Sequence, residues 1–313
     1  MGRLLSIGET LLDFIPQQSG LRLKDVTSFR PALGGAPTNV CGAFSRLGGN
    51  AAIITQLGED AFGDKIIQEL NLYGIDTSFV RRTASANSCL AFVSLAENGQ
   101  RDFSFYRNPS ADMLLSAEDV REEWFDDAFC LHFCSVSLGD FPMKYAHDKA
   151  IEIAKKKGAL ISFDPNLRFP LWKNADDLKK TVWEFIPRSD ILKISDEELP
   201  FLTDRVNISE ALEMLFVGAV KLIIYTKGAD GAEAFTKQTD ASSQGIKVNS
   251  VDTTGAGDAF IGSFLYQISK AKIGASDLEK LSRSDLEKFL KNSKRFRKEN
   301  LNFKLLLIII FKR

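Results

Sequence analysis

One run of this chain combines residue types and spacing into a chemical device: Asp252-Thr-Thr-Gly-Ala-Gly-Asp258, followed directly by Ala-Phe-Ile-Gly-Ser-Phe-Leu-Tyr. Gly255 and Gly257 allow backbone angles that a Cβ would forbid, so consecutive N–H groups can turn toward one point and form an anion cradle. Phe260, Ile261, Phe264, Leu265 and Ile268 recur at helical spacing. That spacing predicts a helix starting near Asp258, with its positive end on the same point. A phosphoryl group suits that position. A carboxylate beside it is repelled by phosphate unless a proton, a metal or a hydroxyl gives it a task, so Asp258 is read as the base that collects a hydroxyl proton during phosphoryl transfer. The plainer reading is a helix N-cap after a glycine turn.

The elements needed to hold such a device follow from the rest of the pattern. Residues 3–9 form a short apolar strand ending at Gly8-Glu9, where open α/β sheets present ligand groups, and Asp13 lies just beyond. Residues 12–30 alternate in short pieces, which predicts strands outside the main sheet. Gly34-Gly-Ala-Pro-Thr-Asn39 opens a helix with Pro37 in its first turn and Val40, Ala43, Phe44 and Leu47 on one face. Gly48-Gly49 closes it, and 51–57 reads as a buried strand. A second helix, with Ile66, Ile67, Leu70 and Tyr73 inward, stops at Gly74. Residues 90–95 and 101–107, joined around Asn98-Gly99, predict a hairpin that shares a small sheet with the 12–30 strands. Beyond 117, buried strands at 130–136, 159–164, 191–194 and 222–226 alternate with helices such as 145–157 and 209–216. The fold class is α/β, with a mainly parallel sheet covered on both faces. The small sheet is placed as a lid above the strand ends, within one domain spanning 1–290.

With 313 residues, 44% hydrophobic and 26% charged, the composition is that of a soluble globular protein. The net charge is −1, but residues 281–313 hold ten Lys or Arg against three acids, which leaves the preceding body at −8. No aromatic or glycine-rich pattern accompanies the basic stretch, so it reads as a solvated end segment rather than a nucleic-acid surface. The first eight residues turn polar too early for a secretory signal, and no run approaches the ~20 apolar residues of a membrane span. Cys41, Cys89, Cys130 and Cys134 lack zinc or redox spacing. Cys130, His132 and Cys134 share a strand face, but the outer two lie about 13 Å apart and cannot meet one ion through ~2.3 Å bonds. Reduced thiols and a cytoplasmic location are the expectation.

Gly34-Gly-Ala-Pro-Thr-Asn39, the downstream Leu-Gly-Glu-Asp-Ala-Phe-Gly63, and Asp252-Thr-Thr-Gly-Ala-Gly-Asp258 together resemble the two signature regions of the ribokinase-like PfkB carbohydrate kinases. Phe105-Tyr-Arg-Asn-Pro-Ser-Ala-Asp112 and Asp164-Pro-Asn-Leu-Arg168 are most similar to the fructokinase branch. The resemblance covers most of residues 3–290. It implies an α/β/α sandwich with a β lid, often paired between lids in a homodimer, acting on a sugar with ATP and Mg²⁺. It also implies roles. Asp258 would be the base, and the backbone of Gly255, Ala256 and Gly257 the anion hole. Asp13, Gly34, Gly35 and Asn39 would contact the sugar, with Arg107 and Arg168 on sugar or phosphate, although a surface ion-pair role for either arginine stays open. Lys193 and Ser195 fall on the nucleotide side with Thr226, Gly228 and Gly231; Glu198 would help place Mg²⁺ through water. Asp252 and the Thr254 carbonyl match part of a K⁺ site.

The expected reaction is ATP-dependent phosphorylation of a ketohexose, fructose to fructose 6-phosphate. Asp-Pro-Asn-Leu-Arg168 followed by Pro170-Leu-Trp172 is also similar to 2-keto-3-deoxygluconate kinases, which keeps an acid sugar as the alternative. The resemblance fades after Phe289, where Lys-Asn-Ser-Lys-Arg-Phe-Arg-Lys-Glu-Asn lacks an amphipathic period and replaces the usual wall of the adenine pocket. Residues 291–313 therefore read as an atypical tail, and a non-catalytic sugar-binding relative is the rival from another class. Neither a full dinucleotide-binding fingerprint nor a Walker phosphate loop is present.

Overall fold

A computed structural model describes residues 2–18, 20–95, 101–245 and 255–299. The first half runs β1 (Arg3–Ile7), β2 (Leu11–Pro16), β3 (Phe29–Gly34), α1 (Ala36–Arg46), β4 (Ala51–Gly58), α2 (Ala61–Leu72), β5 (Ile75–Asp76), β6 (Val80–Thr83), β7 (Cys89–Leu95) and β8 (Arg101–Tyr106). The second runs β9 (Ala128–Cys134), α3 (Pro142–Lys156), β10 (Leu160–Asp164), α4 (Ala175–Phe185), β11 (Ile191–Ser195), α5 (Leu199–Thr203), α6 (Ile208–Leu215), β12 (Leu222–Thr226), β13 (Gly231–Phe235), β14 (Asp240–Gln244), α7 (Ala256–Lys270) and α8 (Arg283–Glu299).

The main sheet has the order β14-β13-β12-β11-β10-β9-β1-β4-β5, with β6 also paired to β4. Its strands are parallel except for β13 and β14, which add antiparallel at one edge. Side chains alternate between the two faces of a strand. Accordingly Leu5, Ile7, Leu131, Phe133, Ile161 and Phe163 pack under α3 and α4 on one face. Leu4, Ile53, Cys130, Leu160, Ile191 and Ile224 pack against α1, α2, α7 and α8 on the other. This is the expected α/β/α sandwich. Going from β1, the chain winds to β4 on one side and to β9 and onward on the other, so the crevice above the β1/β9 boundary is a topological switch point. Ligands bind such sheets there.

The second sheet, β3-β2-β7-β8, joins the two segments predicted to form a lid. Pairing is antiparallel for β2/β3 and β7/β8 and parallel for β2/β7. The expected turn at Asn98-Gly99 lies outside the described residues. Leu11, Asp13 and Ile15 share one face of β2, and that face is turned toward the switch-point crevice.

Several boundaries differ from the sequence reading. The strand expected at 130–136 is Ala128–Cys134, because the chain leaves the sheet where Ser135 N–H donates to the Pro165 carbonyl at 3.1 Å. α7 starts at Ala256 rather than at Asp258, with Gly255 in the left-handed region at φ 77° as its N-cap. Nor does the helical order stop near 290: α8 is one helix through Glu299 that buries Leu286, Phe289, Leu290, Ser293 and Phe296 at helical spacing. Gln267 on α7 donates to the Phe289 carbonyl and to Ser293 Oγ, both at 3.0 Å. Residues 300–313 lie outside the described set.

Candidate active site

Each contributing segment arrives at the crevice for a local reason. Gly255 adopts the left-handed region that L-residues disfavour, and this turn aims the first N–H groups of α7 outward. Those N–H groups have no partner within the helix. Asp258 sits in the first turn, buried, with a carboxylate gripped from two directions. Asn39 Nδ2, from the first turn of α1, donates to Oδ2 at 2.8 Å. Asn166 Nδ2, from the loop after β10, donates to Oδ1 at 3.2 Å. Asn166 is itself held at φ 45°, a conformation that Asn tolerates better than most residues. Two amide donors fix the orientation of both carboxylate oxygens.

This site opens into a cavity of about 520 Å³. Its floor comes from Glu9, Gly35, Ala36, Asn39, Asn166, Lys193, Gly255, Gly257 and Asp258, and its roof from Leu11, Asp13, Ile15, Val93 and Phe105 of the small sheet. Arg107, Val136, Arg168, Leu171 and Glu197 complete the wall. Asp13 on the lid and Asp258 on α7 thus share one space. Gly34 is needed beside it, since a Cβ there would stand 2.2 Å from Asp13 Oδ2.

Lys193 lies deeper than the sequence suggested. Its Nζ is 3.0 Å from each oxygen of buried Asp164, donating a hydrogen bond to Oδ1 while Oδ2 is paired by charge alone. A Cβ on Gly257 would lie 3.3 Å from the same Nζ, so the ammonium sits directly beneath the anion cradle. Burial pushes the Asp164 carboxyl up to about 7 against the pull of Lys193. For Lys193, burial acts downward, but Asp164 and Glu198 outweigh it and raise the ammonium above its ordinary value.

Glu198 accepts from Leu167 N–H at 2.9 Å and from both the N–H and Oγ of Ser195 at 2.8 Å. Burial alone would raise its carboxyl; Lys193 and these donors bring it below the usual carboxylate range. Ser195 and Thr226 are register partners at the ends of β11 and β12, with Gly228 and Gly231 in the turn that follows. These four lie beside the cavity rather than in its wall. Arg168 is exposed and donates to the Leu167 carbonyl at 2.9 Å. Asp252 and Thr254 lie outside the described residues.

Three residues of the site were not singled out from sequence. Asn166 was within a quoted motif, but its reach to Asp258 spans 92 positions. Glu9 accepts from Ala36 N–H at 3.1 Å and from Ser137 Oγ at 2.9 Å. Asp112 pairs with Arg107. A buried acid near a strand end is the signal that could have found Glu9, and the five-residue spacing from Arg107 within a quoted motif could have found Asp112; only the Asn166 contact depends on long-range folding. Cys130, His132 and Cys134 hold no metal arrangement: His132 is buried with Nδ1 3.0 Å from Ser162 Oγ, and burial, then Lys193, pull its imidazole down to about 3.

Comparison with known proteins agrees with this architecture. The model of the pfkB family carbohydrate kinases matches residues 1–284. A probable fructokinase-2 of Arabidopsis thaliana is 43% identical over 268 residues, which is 85% of this chain and 82% of the relative. Among solved structures, fructokinase from Xylella fastidiosa with bound ATP superposes with a TM-score of 0.85 at 31% identity, covering 95% of this chain and 91% of that one. Fructokinase from Vibrio cholerae O395 in a fructose, ADP and calcium ion bound form gives 0.85 at 32% identity, with 96% and 93% covered. A family match across nearly the whole folded body, a shared fold and a phosphate-type cradle in the switch-point crevice lead to one assignment: the chain belongs to the pfkB family of carbohydrate kinases.

Proposed function

We propose that this protein transfers the γ-phosphoryl group of ATP to fructose, giving fructose 6-phosphate, with Asp258 as the general base. The observation that carries this reading is the Asp258 carboxylate, oriented by Asn39 and Asn166 at the N-terminus of α7 and sharing a cavity with Asp13. The sugar relatives named above carry the choice of fructose.

Asp13 on the lid and Asn39 on the floor would orient the sugar through directional hydrogen bonds. The acceptor hydroxyl then gives its proton to Asp258 as its oxygen bonds to the γ-phosphorus, while the bond from that phosphorus to the ADP oxygen breaks. No covalent phosphoenzyme is needed. The N–H groups of the first α7 turn and the ammonium of Lys193 face the charge that develops on the transferring group. Lid residues Leu11, Ile15, Val93 and Phe105 exclude water from the same space. Ser195, Thr226, Gly228 and Gly231 would line the nucleotide side.

Magnesium fits this donor set as an ion carried by the phosphates rather than as a resident of a protein cage. No cluster of three metal-ligating side chains occurs among the described residues, and one or two carboxylates with water and phosphate oxygens satisfy Mg²⁺. Glu198, with its oxygens already accepting three hydrogen bonds, would act through water. When bound, the ion would offset negative charge on the phosphates. K⁺ beside Asp252 and Thr254 rests on the sequence alone.

A homodimer through the lid is part of this reading, supported by the stacked pair Phe14–Phe92 at 4.6 Å and by Tyr106 beside it, 64% exposed. A cytoplasmic location accords with four buried cysteines without disulfides. A coupled assay with ATP, Mg²⁺ and K⁺ over a sugar panel tests the function. Fructose is the expected best substrate. Preference for 2-keto-3-deoxygluconate, or fructose binding with no turnover, would replace it by one of the rival readings.

A further inference from the structure

Arg107 reaches the cavity wall directly after β8, as a cation that an acid sugar in the cavity could meet. Its guanidinium is already consumed. Nε and Nη2 donate to Asp112 Oδ2 at 3.0 and 2.6 Å, Nη2 also reaches Ser137 Oγ at 3.2 Å, and Nη1 donates to the Val136 carbonyl at 3.2 Å. Ser110 Oγ donates to the other oxygen of Asp112. Both members of the pair are buried, with side chains 4% and 1% exposed. Glu9 follows in the same network through Ser137, so two acids surround one arginine at this end of the cavity. In such a low-dielectric place a bound carboxylate meets a net charge that is not positive, whereas neutral hydroxyls lose nothing.

The geometry points to Asp112 as the residue that sets charge selectivity: by neutralising Arg107 it makes the sugar site accept neutral ketohexoses and reject sugar acids. Asp112 does not need to touch substrate to do this, and it acts as a positioning residue through Arg107. The inference rests on the fructose-kinase reading above and explains how one scaffold would choose between its two candidate substrates. Arg168 also lines the cavity, exposed and with Nη1 on the Leu167 carbonyl, but its charge is the same with or without Asp112, so it does not enter the comparison.

The test measures kcat/KM with ATP for fructose and for 2-keto-3-deoxygluconate in the wild type and in Asp112→Asn, and takes the ratio of acid to neutral sugar. Asp112→Asn keeps size and hydrogen bonding but frees one positive charge, so the ratio should rise at least about tenfold. A purely structural role would lower both substrates together and leave the ratio unchanged, which would overturn the inference. Calorimetric binding of 2-keto-3-deoxygluconate against fructose reads the same selectivity without turnover. A wild type that binds fructose but never phosphorylates it would therefore count against the proposed function while still deciding this point. If the single variant does not fold, Arg107→Gln with Asp112→Asn removes both charges of the buried pair at once, a change that proteins tolerate better than losing one partner. The ratio in that double variant should stay within about twofold of wild type, as a net-neutral pair requires. A rise or fall of about tenfold there would contradict the inference.

Discussion

At the residue scale, the central feature is a carboxylate whose two oxygens are held by amides from helix α1 and from the loop after β10. Asn166 is the more telling of the two, because it adopts φ 45° to deliver its amide. Asn166→Gly keeps that backbone geometry at no steric cost and removes only the donor. We expect kcat to fall about 10- to 100-fold with little change in the KM for fructose, since a misplaced base affects the transition state more than binding. Steady-state kinetics on the purified variant checks this, and a KM effect without a kcat effect would assign Asn166 to sugar binding instead. Asp258 was legible in the sequence because it lies in a short motif with a mechanical meaning, whereas Asn39 and Asp13 came from the family resemblance; all three line the cavity. Lys193 was legible as a site residue, but its depth was not: only the parallel pairing of β10 and β11 brings Asp164 under it.

Among the elements, the N-terminus of α7 must turn its first N–H groups toward the cavity without a side chain in the way. Gly255 at φ 77° achieves this, and a Cβ there would also lie 3.4 Å from Asn39 Nδ2. Gly255→Ala is expected to cost about 1–2 kcal/mol of stability from the left-handed backbone alone. It should also weaken turnover with ATP by disturbing the cradle; thermal unfolding together with the KM for ATP would show both effects. An unchanged melting temperature would mean that the turn is not held as described. The central strands β1, β4, β9, β10, β11 and β12 were readable because they are short and apolar, whereas β5, β6, β13 and β14 toward the edges of the sheet were not singled out. The end of β9 was not, since the cue is a hydrogen bond to Pro165 from a distant loop. α8 was underestimated for a related reason. Its charged composition after residue 290 hid the spacing of Ser293 and Phe296, which gains meaning only against Gln267, Ala43 and Ala259.

For the whole molecule, the sandwich holds a neutral histidine at its centre, and this has a consequence for acid stability. His132 is pulled from 6.5 down to about 3 by burial and by Lys193. The folded state therefore binds fewer protons than the unfolded state between those values. Its contribution is fully present above pH 6.5 and is lost as pH falls toward 3, at about 1.4 kcal/mol per pH unit. His147, the other histidine, is pulled down to about 4 by burial, and raised Asp164 acts with the opposite sign, so the His132 part is read as the difference between wild type and variant in denaturant titrations between pH 5 and 6.5. His132→Asn should flatten the slope there by about one proton, whereas an unaltered slope would show that His132 is not held neutral. The lid belongs to the same scale: sedimentation should show a particle of twice 34.7 kDa, and Tyr106→Glu should shift it toward the monomer. The alternation of strands and helices and the existence of a second small sheet were readable from the chain; what closes over the site, and how its charges cancel, depends on contacts between distant segments. The most direct measurement compares fructose-dependent phosphoryl transfer from ATP in the wild type and in Asp258→Asn, with fructose binding followed in parallel. The kcat should drop about 10²- to 10⁴-fold while fructose still binds; near-normal turnover in that variant would contradict the role of Asp258 as the base.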